Sequence, residues 1–197
     1  RGTCPEDIGF FTFTKQAVQE GKSRAMSRFS ITKTQLPYFR TLHSLCFFQL
    51  GLSKDSVMGS RDIGELNQKL NLRLTGSVNS EEGHISSISK DDKLLFIENL
   101  ARMRQISLES QWHDADDAVG WFELERFSNG LKLFKKDRLL IDYTDMLQLF
   151  LDRGRAPKLD VMFVDEAQDL SPLQWAVVRK LCESADRIYI AGDVDQA

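Results

Sequence analysis

The chain has 197 residues, enough for one ordinary domain or one domain carrying an inserted subdomain. With 42% hydrophobic and 28% charged residues it has the composition of a soluble globular protein, and no apolar run approaches the length that spans a bilayer. The net charge of -3 does not advertise nucleic-acid binding, but bases outnumber acids from Arg1 to Leu50 and acids dominate from Ile141 onward, so a basic binding face and an acidic catalytic edge can share one domain.

Ile8 to Phe13 reads as a buried strand. Lys15 to Phe29 follows as a helix, with Ala17, Val18, Ala25, Met26 and Phe29 mostly on one face and Thr14 as a candidate N-cap. Gly21-Lys22-Ser23 has the tail of a phosphate-loop pattern, but Gln16 stands where its first glycine belongs. A loop that wraps phosphate with backbone N–H groups needs glycine, so Lys22 and Ser23 are expected on a solvated helix face. Tyr38 to Leu42 reads as a short strand, with Ser44 a candidate cap for the next helix.

From Ser53 to about Asp92 the sequence is irregular and polar, with turn signals at Gly59-Ser60, Thr75-Gly-Ser77 and Asn79 to Gly83, and His84 is expected to be exposed. Helical periodicity returns over Lys93 to Leu108 and again over Val119 to Asn129. The whole region is too long for a sheet connection and reads as a mostly helical insertion. Trp121 and Phe127 are expected in its core; Lys132, Lys135, Lys136 and Arg138 form a basic group that either touches phosphate or lines a solvated face. Asp142 or Thr144 is expected to cap a helix carrying Met146, Leu147, Leu149, Phe150 and Leu151.

The chain then runs strand, acidic tip, helix, strand, acidic tip. Val161 to Val164 form an apolar strand that suits burial on both faces, and it ends in Asp165-Glu166. Pro172 to Ser184 is a helix, and Arg187 to Ala191 leads to Gly192-Asp193-Val194-Asp195-Gln196. Two polar tips on one edge of a βαβ unit lie where open parallel sheets bind ligands. This arrangement suits nucleoside triphosphate hydrolysis. Asp165 is assigned to Mg²⁺, which prefers oxygen ligands and keeps several waters. Glu166 is assigned to the attacking water and Gln196 to the γ-phosphate. The competing reading is an acidic loop that merely caps the following helix through Ser171.

Residues 164 to 174 (Val-Asp-Glu-Ala-Gln-Asp-Leu-Ser-Pro-Leu-Gln) resemble motif II of superfamily 1 DNA helicases of the UvrD/Rep type, and residues 191 to 197 resemble the start of their motif III, with Val194 where a third acid often stands. Thr12 to Glu20, with Arg24, resembles motif Ia, and Thr41-Leu-His-Ser44 resembles the motif Ib turn. Asp142 to Leu147 resembles the segment that precedes motif II in that family. The resemblance implies an α/β fold, an incomplete RecA-like parallel sheet of the P-loop NTPase kind with a mostly helical inserted 1B subdomain that sits over the DNA. It implies residues 1–52 and 139–197 for the RecA-like domain 1A and residues 53–138 for the insertion. It also implies ATP and Mg²⁺ as cofactors, Asp193 with Gln196 at the nucleotide, and single-stranded and duplex DNA as partners. DNA contacts are then expected from Thr12, Phe13, Thr14, Lys15, Thr41, His43 and Ser44, with Phe13 stacking on a base.

Both ends read as cut, with the phosphate loop expected upstream of Arg1, so this chain alone is expected to hydrolyse no ATP above background. A helicase–nuclease subunit of the RecB/AddA kind and a non-catalytic DNA-binding or interaction module are the alternatives. Cys4, Cys46 and Cys182 have no metal spacing and are expected to be buried reduced thiols. No signal segment opens the chain, so a cytoplasmic or nucleoid-associated location is expected.

Overall fold

The computed structural model describes residues 2–76, 89–115 and 119–193. The Asn79 to Gly83 turn signal, His84, Val194, Asp195 and Gln196 lie outside the described residues. The chain divides into two compact units, residues 1–51 with 146–197, and residues 52–145.

The first unit is built on a four-stranded parallel sheet in the order β2-β1-β3-β4. Its strands are β1 (Ile8–Thr12), β2 (Phe39–Thr41), β3 (Leu159–Val164) and β4 (Ala185–Ile190). Around them run helices α1 (Lys15–Phe29), α2 (Leu42–Gln49) and α8 (Pro172–Cys182). This is the α/β parallel sheet expected from the sequence. The helix ends are specified locally. Thr14, Thr41 and Ser171 accept hydrogen bonds from the backbone N–H groups of Ala17, Ser44 and Gln174. Thr41, not Ser44, therefore caps α2. Ser44 sits inside its first turn, because the strand ends one residue earlier than the sequence suggests.

Phe11, Leu45, Met162, Val177, Val178 and Leu181 are fully buried in the core of this unit. Gly21 lies in α1 with Phe10 so close that a Cβ there would meet its ring at 2.9 Å. That contact explains the glycine without a phosphate loop, and Lys22 and Ser23 are helical as expected. β3 departs from expectation: Phe163 is 39% exposed, stacked at 5.1 Å on Tyr189 of β4, while its neighbours Met162 and Val164 are buried. Among the described residues β4 pairs on one side only, with β3, and Ile188, Tyr189 and Ile190 are exposed. All three cysteines are free thiols, and Cys4 is exposed rather than buried, where its Sγ donates to Glu6.

The second unit contains α3 (Ser60–Leu70), α4 (Lys90–Arg104), α5 (Leu108–Asp114) and α6 (Trp121–Arg138). Helix α7 (Tyr143–Arg153) starts here, and Met146 onward belongs to the first unit. α3 corrects the irregular reading of this stretch. Gly59-Ser60 is a helix start, with Asp62 accepting the Gly59 N–H, and Ile63 and Leu66 are buried along one face. α6 runs on through Gly130, which is packed so tightly on Leu70 that a Cβ would lie 2.7 Å from its Cδ2. Leu66, Leu94, Leu124, Phe127, Leu131 and Phe134 form its core, with Trp121 packed against it. Among the described residues no helix is long and apolar enough to cross a membrane.

A buried ionic cluster closes this unit. Arg102 donates to Asp142 through both terminal nitrogens, at 3.0 and 2.8 Å, and to Glu98 and Asp145. Lys135 Nζ lies 2.6 Å from both Asp142 and Asp145. Asp142 also accepts the N–H of Asp145, so it caps α7 as expected. Lys135 thereby leaves the basic group suggested by the sequence, and Arg138 is spent on Glu65. Burial pushes the Asp142 carboxyl up, but Arg102 and Lys135 outweigh it and hold it well below the usual carboxylate range. Asp142→Ala leaves two cations without their shared anion and is expected to cost about 3–5 kcal/mol in urea unfolding at neutral pH. Because the folded value lies below the unfolded one, this stabilisation is present above about pH 4 and is lost as pH falls further. The gap between wild type and variant is therefore expected to hold above about pH 4 and to narrow steadily as pH falls below it.

Candidate active site

Four parallel strands put all their carboxyl ends on one edge. Along that edge the order is the β2 tip (Thr41 to Ser44), the β1 tip (Thr12 to Lys15), the β3 tip (Asp165, Glu166) and the β4 tip (Gly192, Asp193). The chain winds outward from β1 to β2 on one side and from β3 to β4 on the other. The switch point therefore lies between β1 and β3, where sheets of this kind leave a crevice for ligands.

Asp165 sits at that point. Its backbone N–H donates to the carbonyl of Phe11 at 2.9 Å, which continues the β1–β3 ladder one step past the strand and leaves the side chain half-buried. Glu166 is exposed, with φ 53° and ψ 43°. The other non-glycine residues with positive φ among those described are Ser30, Asn71, Gln105 and Leu139, each at a helix end. At a helix end the left-handed conformation completes a cap; Glu166 adopts it in a turn between strand and helix, where it costs roughly 1–2 kcal/mol. Such strain concentrates at functional sites. The turn is held by Ala167, whose N–H donates to the carbonyl of Ala191 at 3.0 Å, and by Gln168. Gln168 Nε2 donates to Glu166 Oε2 at 2.7 Å, and its Oε1 accepts the Asp193 N–H at 3.1 Å. The β3 and β4 tips are thus tied together by side chain and backbone.

Extending the β1–β3 register by one residue sets Thr12 beside Asp165. Thr12 is 2% exposed, and its hydroxyl has no hydrogen-bond partner within the described structure. The side chain therefore does not face solvent, where a phosphate contact was expected. A buried hydroxyl without a partner costs about 1–3 kcal/mol. Among the described residues no group of three or more His, Cys, Asp or Glu side chains gathers to enclose a metal. Mg²⁺ needs no such cage: one carboxylate, waters and substrate phosphates suffice, and the half-buried Asp165 offers the hard oxygen donor it takes.

On the other half of the edge, Thr14 and Thr41 spend their hydroxyls on capping α1 and α2, and Thr41 is buried. Both helices therefore start at this edge, with the positive ends of their dipoles toward it. Lys15 is exposed at the first position of α1, and Phe13 is partly buried. Burial pushes the His43 imidazole down to about 4, and the charge of Lys15 adds to the shift, so the motif Ia and Ib turns lie within electrostatic reach of each other. At neutral pH His43 is a neutral hydrogen-bonding ring beside a cation. Ser44 Oγ accepts from Arg40 at 3.2 Å. The structure thus gathers Thr12 to Lys15, Thr41 to Ser44, Asp165, Glu166 and Asp193 on one edge. Gln168 and Gly192 stand within the stretches that carry the motif resemblances but are assigned no role from sequence, because what each one touches is set only when the two tips are adjacent.

A family model described as "UvrD/REP helicase N-terminal domain" matches residues 1–197. The chain is also 23% identical over 211 residues to the ATP-dependent DNA helicase Rep of Buchnera aphidicola subsp. Baizongia pistaciae (strain Bp), covering 98% of this chain and 29% of that protein. It is 23% identical over 212 residues to YjcD of Bacillus subtilis (strain 168), covering 100% of this chain and 27% of that one. It therefore spans less than a third of either relative. A parallel sheet whose acidic strand tips share an edge with two capped helix starts, matched over its full length by one family model, places this chain in the UvrD/REP helicase N-terminal domain family.

Proposed function

We propose that this chain is the part of an ATP-dependent DNA helicase that carries half of its nucleotide site and part of its single-strand track. The observation that supports this most is the shared edge. The tips of β3 and β4 offer carboxylates and a polar turn to a nucleotide, and the tips of β1 and β2 offer cationic and aromatic groups to a nucleic acid, one strand away. Residues 1–52 with 139–197 act as domain 1A and residues 53–138 as the 1B insertion.

Asp165 would hold Mg²⁺, directly or through water, and the ion supplies charge neutralisation on the phosphoryl oxygens when bound. Glu166 orients the attacking water and accepts its proton; its exposed carboxylate projects from a turn rather than lying flat on the sheet. Gln196 contacts the γ-phosphate, with Asp193 at the same tip. Hydrolysis here is positioning and electrostatics rather than covalent chemistry. Lys15 and the N-termini of α1 and α2 draw a DNA phosphate toward the edge, Phe13 stacks on a base, and His43 and Ser44 donate or accept hydrogen bonds without adding charge. Thr12, Thr14 and Thr41 shape the turns from within. In the full-length protein nucleotide state would bias domain arrangements that grip the strand differently, which yields stepping along single-stranded DNA and duplex separation.

In the full-length protein Glu166→Gln is expected to lower DNA-stimulated ATP turnover by about 10²–10⁴-fold while leaving ATP affinity nearly unchanged. Turnover within a few-fold of wild type would remove Glu166 from the chemistry. For the 197-residue chain itself, single-stranded DNA binding is expected to be weak and to fall with salt, with a log–log slope of magnitude about 0.7 per phosphate neutralised. Phe13→Ala should weaken it by about 1–3 kcal/mol with the slope unchanged, and Lys15→Ala should reduce the slope by about one phosphate. Fluorescence anisotropy across a salt series separates the two effects. Because His43 is neutral above about pH 5, His43→Gln should leave the pH dependence of DNA binding between about pH 6 and 8 unchanged. The same shift predicts a stability contribution that is complete above the unfolded value near pH 6.5 and is lost as pH falls toward about 4.

A further inference from the structure

We infer that Gln168 is a positioning residue for the hydrolytic step: its amide fixes the Glu166 carboxylate to the tip of β4, so that the place of Asp193 sets the place of the water-orienting group. This inference rests on the role proposed above for Glu166.

The chemistry of the partners determines the amide's orientation. A backbone N–H can only donate, so the atom facing Asp193 at 3.1 Å is the amide oxygen. A carboxylate can only accept, so the atom facing Glu166 at 2.7 Å is the amide nitrogen. One planar group therefore reads both strand tips at once. Gln suits this link because Glu lacks the donor and Asn lacks the reach. The approach depends on Gly192. A Cβ there would lie 2.9 Å from Gln168 Oε1 and 3.3 Å from the Gln168 backbone nitrogen. The link also accompanies the left-handed backbone of Glu166, a conformation that local preference does not select and that surrounding contacts must hold. The two backbone bonds Ala167 N–H to Ala191 O and Ala191 N–H to Val164 O run parallel to the side-chain link, so the turn and the β4 tip are braced as one piece. A shift of the β4 tip on nucleotide binding would then carry the Glu166 carboxylate with it. Misplacement of a reacting group by about 1 Å is enough to cost about 10²-fold in rate.

Two substitutions separate the two halves of the link. Gln168→Glu keeps an acceptor for Asp193 but turns a carboxylate toward Glu166. Gln168→Met removes both bonds at similar length. In the full-length protein both are expected to lower kcat for DNA-stimulated ATP hydrolysis by about tenfold or more, with KM for ATP within about twofold. In the 197-residue chain, amide hydrogen exchange at Asp193 is expected to stay slow in Gln168→Glu and to speed up by about tenfold in Gln168→Met. A cycle with Glu166→Gln completes the test. If Gln168 acts through Glu166, adding Gln168→Glu to Glu166→Gln lowers single-turnover rate by less than about twofold further. Losses that multiply in the cycle, a kcat unchanged in both single variants, or an Asp193 amide indifferent to Gln168→Met would each overturn the inference. If Glu166→Gln alone leaves turnover intact, the role of Glu166 fails instead, and the exchange result still reports whether the link exists.

Discussion

Parallel pairing of four strands is the constraint on which the candidate site depends. In a parallel sheet every strand points the same way, so residues far apart in the chain, such as His43 and Glu166, arrive at one edge without any contact dedicated to bringing them there. The strand order adds the second half of the effect. Because the windings diverge at β1 and β3, the two middle tips hold Thr12 and Asp165 side by side, and the outer tips hold the motif Ib turn and Asp193. The carboxylates of the β3 tip and the lysine of the β1 tip are thereby separated by only one strand spacing.

Within that frame the turns do different physical work. The β1 and β2 tips hand over directly to helices, and their threonines cap those helices rather than reaching outward. The outward groups are then Lys15 and the neighbouring helix dipoles, with the neutral His43 imidazole in the β2 turn within electrostatic reach of Lys15. The β3 tip instead interposes a short 3-10 turn (Ala167–Asp169) before α8, entered through a left-handed residue. That detour is what lifts Glu166 off the sheet edge while Asp165 stays in the ladder. One dipeptide of carboxylates is thus divided into a half-buried member and an exposed one.

The second unit uses polar burial in another way. Its helices share an apolar core, yet the last turn of α6 and the first turn of α7 are joined by a cluster of two cations and three carboxylates. Burial pushes the Glu98 carboxyl up even with Arg102 beside it, so the cluster is not uniformly favourable. Its geometry is specific, however: Asp142 caps α7 and binds Arg102 and Lys135 at once, which leaves one register for the helix start. Removing any one member strands the others in a low-dielectric setting, and that asymmetry fixes the local structure more firmly than an apolar contact would.

Local chemistry in the sequence determined the strands, most of the helices and the residue types at the site. The apolar run of β3, the 3.6-residue period of α1 and the capping pattern before α8 each act over a few residues, so they are legible without neighbours. So was the identity of Asp165 and Glu166 as carboxylates at a strand end. Tertiary structure decided what those residues face. α3 was hidden because Gly59 and Gly64 weaken its local signal, and burial of Ile63 and Leu66 against other helices overrides that weakness. α6 continues through Gly130 because Leu70 fills the space a side chain would need. Lys135 looked like a surface base until Asp142 and Asp145, distant in sequence, came beside it. Thr12 looked like a phosphate ligand until strand pairing buried it, and Gln168 looked incidental until β4 brought Asp193 within reach. Backbone preference is a property of a few consecutive residues; burial, pairing and charge compensation belong to pairs brought together by the fold.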